Sequence, residues 1–93
     1  MKKKENIDLI KGEFAPDEAK TILSSIIGTK IKFNNRQIFG MEERNDGDPE
    51  RYKSRLAELH LAQEKVVKLI AKAEKKGKKI KIDAEIKIVI LEE

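Results

Sequence analysis

The sequence predicts a single α+β domain whose elements follow in the order strand, helix, helix, strand. Three observations predict this class. Apolar and charged residues alternate over residues 80–90, as in a strand with one buried face. Apolar residues recur at spacings of four and three over residues 52–73, as in a core-facing helix. A turn signal, Asn45-Asp46-Gly47, separates this helix from an earlier helical region.

Size and composition narrow the class of protein further. A chain of 93 residues forms one domain with a thin core, so a partner chain would add useful burial. Charged residues make up 41% and hydrophobic residues 39%, nearly all of them aliphatic, a mixture that folds. The chain has no cysteine, which excludes disulfides and makes a reducing cytoplasm the expected location. No apolar run suggests a signal peptide or a membrane span, so no membrane partner is expected.

The first strand is predicted over residues 6–14, with Ile7 and Leu9 on one face and Ile10 and Phe14 on the other. Gly12 weakens the end of this strand or marks a bulge. The preceding residues 1–5 are lysine-rich and are predicted to be a disordered basic tail.

The first helix is predicted to begin at Pro16, because proline is tolerated at the first helical position. Its apolar stripe follows the helical spacing through Ala19, Ile22, Leu23, Ile26 and Ile27. Residues 29–41 are ambiguous, since they fit either a continued helix or a short strand. We favour a helix to about Asn35 with an irregular continuation to Met41, because the stripe persists beyond Gly28.

The second helix is predicted over residues 49–76 and is the most regular segment. Asp48 is a good N-cap before Pro49, and Gly77 suits the left-handed conformation that ends a helix. Its apolar seam has one polar member, Gln63, and consists of Tyr52, Leu56, Leu59, Gln63, Val66, Ile70 and Ala73. The two helices should form an antiparallel hairpin packed on one face of a small sheet.

The last strand is predicted to place its isoleucine row, residues 80–90, beneath this hairpin. It is about twice as long as the first predicted strand, so half of it would remain unpaired. A long, regular, isoleucine-rich edge favours pairing with another chain, so we predict a homodimer in which the two sheets join or the apolar strand ends pack together. A foreign strand added at the same edge is the alternative. The candidate interface residues are Ile86, Ile88, Val89, Ile90 and Leu91.

A lysine cluster precedes and enters this strand. Between residues 72 and 81 the chain carries a local charge of +5, whereas the other residues sum to −1. The structural interpretation is that lysines in the last helical turn offset the helix dipole and those in the strand face solvent. The functional alternative is non-specific phosphate binding to nucleic acid, extended by Lys2, Lys3 and Lys4 if the first strand brings them near. The cluster consists of Lys72, Lys75, Lys76, Lys78, Lys79 and Lys81.

No catalytic or metal-binding constellation emerges from the residue types. His60 is the only histidine, and its position beside the apolar stripe suits a residue that shields the seam. A metal site would need two or three further ligands, and nothing nearby supplies a histidine or cysteine. We therefore predict no cofactor, no metal and no enzymatic activity.

Three short segments resemble a family of small uncharacterised bacterial proteins with the same layout: GEFAPDEAKTIL, IKFNN, and EER before the second helix. The resemblance covers most of the chain, but its motifs mark a helix start, a helix end and a loop. It implies a bacterial, cytosolic origin and the strand-helix-helix-strand order, and it carries no activity. The sequence thus favours a small, cytoplasmic, non-catalytic interaction or regulatory module that forms a homodimer, with non-specific nucleic-acid binding by the lysine cluster as the alternative.

Overall fold

The computed structural model describes residues 3–92 and confirms the predicted order of elements. Strand β1 spans Lys3–Phe14, helix α1 Pro16–Arg44, helix α2 Glu50–Lys76 and strand β2 Ile80–Ile90. The two strands pair antiparallel in a two-stranded sheet. The helices α1 and α2 pack on each other as a helical hairpin. The α+β class is therefore confirmed.

Helix α1 runs without interruption through the segment that the sequence left ambiguous. Residues 29–41 are helical throughout and form no strand. The helix begins after Ala15, whose backbone is extended and whose N–H donates to Glu18 Oε1 at 2.9 Å. It ends at Asn45, which adopts the left-handed conformation. The favoured interpretation as helix was correct, and it extends further than Asn35.

Helix α2 ends where local chemistry predicts, and it begins at Glu50, one residue after the predicted start at Pro49. The Glu50 N–H donates to Asp48 Oδ1 at 3.1 Å, so this aspartate satisfies an amide of the first turn. Gly77 lies at φ 63° and ψ 38°, a conformation that glycine adopts without a steric penalty. Its N–H donates to Glu74 O, and the Lys78 N–H donates to Ala73 O. These bonds satisfy carbonyls of the last turn, as the predicted cap requires.

The core of the helical hairpin is small. Leu59 and Ile70 of the predicted seam are buried, and they face a helix whose buried residues are Ala19 and Asn34. Asn34 donates from Nδ2 to Lys30 O at 2.8 Å, which satisfies a polar group that would otherwise be costly to bury. The sequence did not single out this asparagine, because it was assigned to the end of the helix.

The predicted mismatch between the strands is wrong. β1 has 12 residues and β2 has 11, and the ladder runs from Phe14 opposite Ile80 to Lys3 opposite Ile90. The first strand is longer than expected because residues 3–5, which were assigned to a disordered tail, pair with residues 88–90. Residues 1 and 2 lie outside the described residues. β2 therefore has no unpaired half, and the predicted reason for a partner chain does not apply.

A β-bulge in β1 corrects the predicted faces of this strand. Asp8 opposes Glu85 whereas Ile10 opposes Ala84, so Leu9 is an extra residue without a counterpart. The extra residue brings Ile7 onto the same face as Ile10 and Phe14, because opposed residues in an antiparallel pair share a face. We call this the apolar sheet face, which comprises Ile7, Ile10, Gly12, Phe14, Ile80, Ile82, Ala84, Ile86, Ile88 and Ile90. At its far end it also carries two charged residues of β1, Glu5 opposite Ile88 and Lys3 opposite Ile90.

The helical hairpin covers only one end of the apolar sheet face. Ile82 is buried and Ile80 and Ala84 are half-buried, but every residue of β2 beyond Ala84 is exposed. The expectation that the whole isoleucine row lies beneath the helices is thus wrong for residues 86–90. The chain extends 49 × 36 × 15 Å with a radius of gyration of 16.8 Å, against about 12 Å for a compact domain of this length.

Candidate functional site

The uncovered half of the apolar sheet face is the most conspicuous surface of the described chain. Ile7 is 48% exposed, and across the ladder Ile86, Ile88 and Ile90 are 39%, 45% and 59% exposed. Four isoleucines therefore form one patch at the end of the sheet that is far from the helices. A two-stranded sheet with an uncovered apolar face is marginal by itself.

The five candidate interface residues lie together at this end of the sheet, although they do not share a face. Ile86, Ile88 and Ile90 are on the apolar sheet face, whereas Val89 opposes Lys4 on the other face. Leu91 follows the strand and is 71% exposed. The sequence analysis missed Ile7 as a member of the patch. Residues three apart in a regular strand lie on opposite faces. Ile7 and Ile10 can therefore share a face only if a bulge lies between them, and a bulge was not predicted there.

The opposite face carries a ladder of charges, and we call it the polar sheet face. Lys11 opposes Asp83 and Glu13 opposes Lys81, so these cross-strand pairs attract. Asp8 and Glu85 instead oppose each other directly, and two carboxylates in this position repel. The remaining members of the polar sheet face are Lys4, Asn6, Lys87 and Val89.

The two strands differ at their outer edges. The register of β1 shifts between Asp8 and Ile10, and Gly12 lies at a positive φ of 154°. Bulges and edge lysines discourage pairing with another strand, and this strand begins with Lys3 and Lys4. β2 has no extra residue anywhere between Ile80 and Ile90. Its outer edge is therefore the more regular template for a further strand.

The lysine cluster surrounds the junction between the helical hairpin and the sheet. Lys72, Lys75 and Lys76 lie in the last turns of α2, Lys78 and Lys79 lie in the connection, and Lys81 lies in β2; all six are exposed. Lys81 Nζ lies 3.7 Å from Asp83 Oδ2. Within residues 3–92, no ion pair involves the other five.

The proposed extension of the cluster toward the N-terminus is wrong. Lys3 and Lys4 oppose Ile90 and Val89, at the far end of the ladder from Lys81. Position 90 lies nine residue steps along the strand from position 81, which is about 30 Å. Lys2 lies outside the described residues. Two lysines from other elements lie near the cluster instead. Lys11 of β1 opposes Asp83 and lies diagonally across the ladder from Lys81, and Lys20 lines an open groove of about 440 Å³ together with Lys75 and Ile70.

His60, the only histidine of the sequence, lies on the exposed surface of α2. Residues 3–92 contain no cluster of three histidine, cysteine or acidic side chains that could hold a metal ion. No helix in this part of the chain combines the length and apolarity that crossing a bilayer demands.

Comparison with known proteins found no match for this chain: no protein-family model, no curated protein and no solved structure is significantly similar to it.

Proposed function

We propose that this chain is a small non-catalytic interaction module of the cytoplasm that works as a homodimer. The observation that supports it best is the uncovered half of the apolar sheet face, formed by Ile7, Ile86, Ile88 and Ile90. Exposed aliphatic side chains on a two-stranded sheet favour association, because burying apolar surface is the main favourable term in protein assembly. A second copy is the simplest occupant, since every copy brings the same apolar patch.

The surface area of the chain agrees with this proposal. The chain exposes 7718 Å², whereas a compact monomer of 10.7 kDa exposes about 5,500 Å². The excess is about 2,200 Å². In obligate homodimers each protomer buries about 1,000–2,500 Å², so one such interface accounts for the excess.

The oligomeric state in solution tests the proposal directly. Size-exclusion chromatography with light scattering should give twice the chain mass of 10.7 kDa at high micromolar concentration. On dilution the weight-average mass should fall from that of two chains to that of one, because monomer and dimer are the two species in equilibrium. A mass of one chain at high micromolar concentration would rule out the homodimer and leave a foreign strand as the remaining partner for this surface.

A second candidate function, non-specific nucleic-acid binding, has one favourable observation. Five lysines of the cluster are exposed and have no ion-pair partner within residues 3–92, so their charges are available to phosphates. Against this, the aromatic side chains that stack on bases in single-strand binding proteins are few here: three phenylalanines and one tyrosine.

A gel-shift titration with duplex DNA tests the lysine cluster. Binding at about 50 mM salt should weaken steeply as salt rises, by about 0.9 in the log–log slope for each phosphate contact. Replacing Lys75, Lys76, Lys78 and Lys79 with glutamine should abolish the shift and leave the helical circular dichroism unchanged. The matched control replaces four exposed lysines away from the cluster: Lys30, Lys32, Lys53 and Lys65. Equal loss in both variants would exclude a site at the cluster, and no shift at about 50 mM salt would exclude this function.

A further inference from the structure

The two free edges of the sheet are unequal, and the proposed homodimer should use the regular one. Each strand of a two-stranded sheet leaves one edge unpaired. The edge of β1 is interrupted by the bulge at Leu9, whereas β2 is regular from Ile80 to Ile90. We propose that two copies pair antiparallel through their β2 edges, with Ile86 on the twofold axis. This inference rests on the proposed homodimer and specifies its register.

The alternation of β2 restricts where the twofold axis can lie. When two copies of one strand pair antiparallel, residues equally far from the axis on either side oppose each other. Opposed residues share a face, so an axis through a residue matches isoleucine with isoleucine. An axis between two residues would oppose isoleucines to charged residues along most of the strand. The axis must therefore pass through one residue.

The charges of the polar sheet face then select that residue. An axis through Ile86 opposes Glu85 to Lys87 of the second copy, and Lys87 to its Glu85, which gives two attractive pairs. Axes through Glu85 or Lys87 would each oppose like charges at the axis itself. An axis through Ala84 would oppose Asp83 to Glu85 and Lys81 to Lys87, which repel.

Axes nearer the strand ends pair too little of the strand. An axis through Ile82 also opposes Lys81 to Asp83, but only residues 80–84 would then be strand on both sides. It would leave Ile86, Ile88 and Ile90 uncovered. An axis through Ile88 pairs only residues 86–90 and gives no attractive pair. An axis through Ile86 pairs residues 82–90 and uses the exposed isoleucines.

This register also gives a role to the one repulsive pair in the sheet. Asp8 and Glu85 oppose each other within the chain, where their like charges are unfavourable. In the proposed dimer, Lys87 of the second copy lies beside Glu85 on its other side. The carboxylate pair of each protomer is thereby compensated across the interface.

The register also places covered and uncovered parts of the two sheets side by side. Ile90 would oppose Ile82 of the second copy, and Ile88 would oppose its Ala84. Ile82 is buried and Ala84 is half-buried at the helix-covered end of the sheet. A twofold axis perpendicular to the sheet keeps both apolar faces on one side, so each helical hairpin lies next to the exposed isoleucines of the other chain. The dimer would be a four-stranded sheet with the strand order β1, β2, β2, β1.

Disulfide crosslinking of single-cysteine variants tests this register directly, because the natural chain contains no cysteine. Ile86→Cys should form an intermolecular disulfide under mild oxidation, since residues on the axis lie about 4.5–5.5 Å apart between Cα atoms, within disulfide range. Ala84→Cys and Ile88→Cys should not crosslink alone, because each lies about 13 Å along the strand from its own copy. A mixture of these two variants should crosslink, since the two positions oppose each other.

Charge exchange gives an independent test by sedimentation equilibrium. Glu85→Lys and Lys87→Glu should each weaken the dimer about tenfold or more, and the double variant should restore it. Glu85→Lys removes the repulsion with Asp8, so a weaker dimer would not reflect a weaker protomer. The matched control is Glu64→Lys, at an exposed position on α2, and it should leave the dimer intact.

The outcomes separate the two proposals. A monomeric wild-type chain would overturn the homodimer itself. A wild-type dimer in which Ile86→Cys stays reduced, while Asn6→Cys in β1 or another position of β2 crosslinks, would overturn only the β2 register. Two sheets stacked face to face would also leave Ile86→Cys reduced, because their backbones lie about 10 Å apart. Circular dichroism equal to that of the wild type should accompany every variant.

Discussion

Replacing Ile86 with lysine is expected to weaken the homodimer, with an increase in Kd of about tenfold or more. Full burial of an isoleucine contributes about 1.5–3 kcal/mol, and the partner can cover only the 39% of Ile86 that is exposed within one chain, which gives about 0.6–1.2 kcal/mol per protomer. The loss in the dimer is therefore about 1.2–2.4 kcal/mol, and every 1.4 kcal/mol is about tenfold in Kd. Ile86 is 39% exposed within one chain, so lysine fits the protomer. Light scattering and sedimentation equilibrium measure the change.

Leu61→Lys is the matched control for this variant. Leu61 is 59% exposed and lies on α2, away from the sheet. The same change of side chain and charge should leave the dimer intact there. An Ile86→Lys protein that dimerises as tightly as Leu61→Lys would contradict an interface on the uncovered sheet, whatever its register.

Ile70→Ala is expected to lower the free energy of unfolding by about 2–5 kcal/mol, as is typical for truncating a buried isoleucine. Ile70 is 3% exposed, and few other side chains of residues 3–92 are buried as deeply. A domain of this size has a total stability of about 5–14 kcal/mol, so the loss is a large share of it. Urea unfolding followed by helical circular dichroism measures the change as a lower midpoint.

The neighbouring residue supplies the control for this measurement. Leu69 precedes Ile70 in α2 but is 64% exposed, so Leu69→Ala should change the midpoint little. Both variants must be compared at one protein concentration, because dimerisation makes the apparent stability depend on concentration. Equal midpoints for the two variants would show that the buried seam of the helical hairpin does not carry the stability assigned to it.

The second helix illustrates what local sequence predicts well. Its seam through Leu59 and Ile70, the capping aspartate Asp48 and the terminal glycine Gly77 all lie where the sequence placed them. Each of these signals acts within one or two helical turns. The periodicity, the cap and the left-handed glycine can therefore be predicted without knowledge of the rest of the chain.

The first strand illustrates where local sequence falls short. Its residues 3–5 are polar and charged and carry no strand signal of their own. They are strand because residues 88–90 of β2 pair with them. The bulge at Leu9 likewise depends on how the two strands align across the ladder. Both features arise from pairing between opposite ends of the chain, which periodicity within one segment does not report.

By itself, the sequence determined the class, the order of the four elements, the start of α1, both ends of α2 to within one residue and the lysine cluster, because short-range patterns specify these features. Only the tertiary structure decided that the strands match in length, that Ile7 joins Ile86 on one face, and that the helical hairpin leaves residues 86–90 uncovered. The physical reason is that α1 and α2 bury their apolar stripes against each other. An amphipathic pattern predicts which face of an element will be buried, but the fold determines whether that burial occurs within one chain.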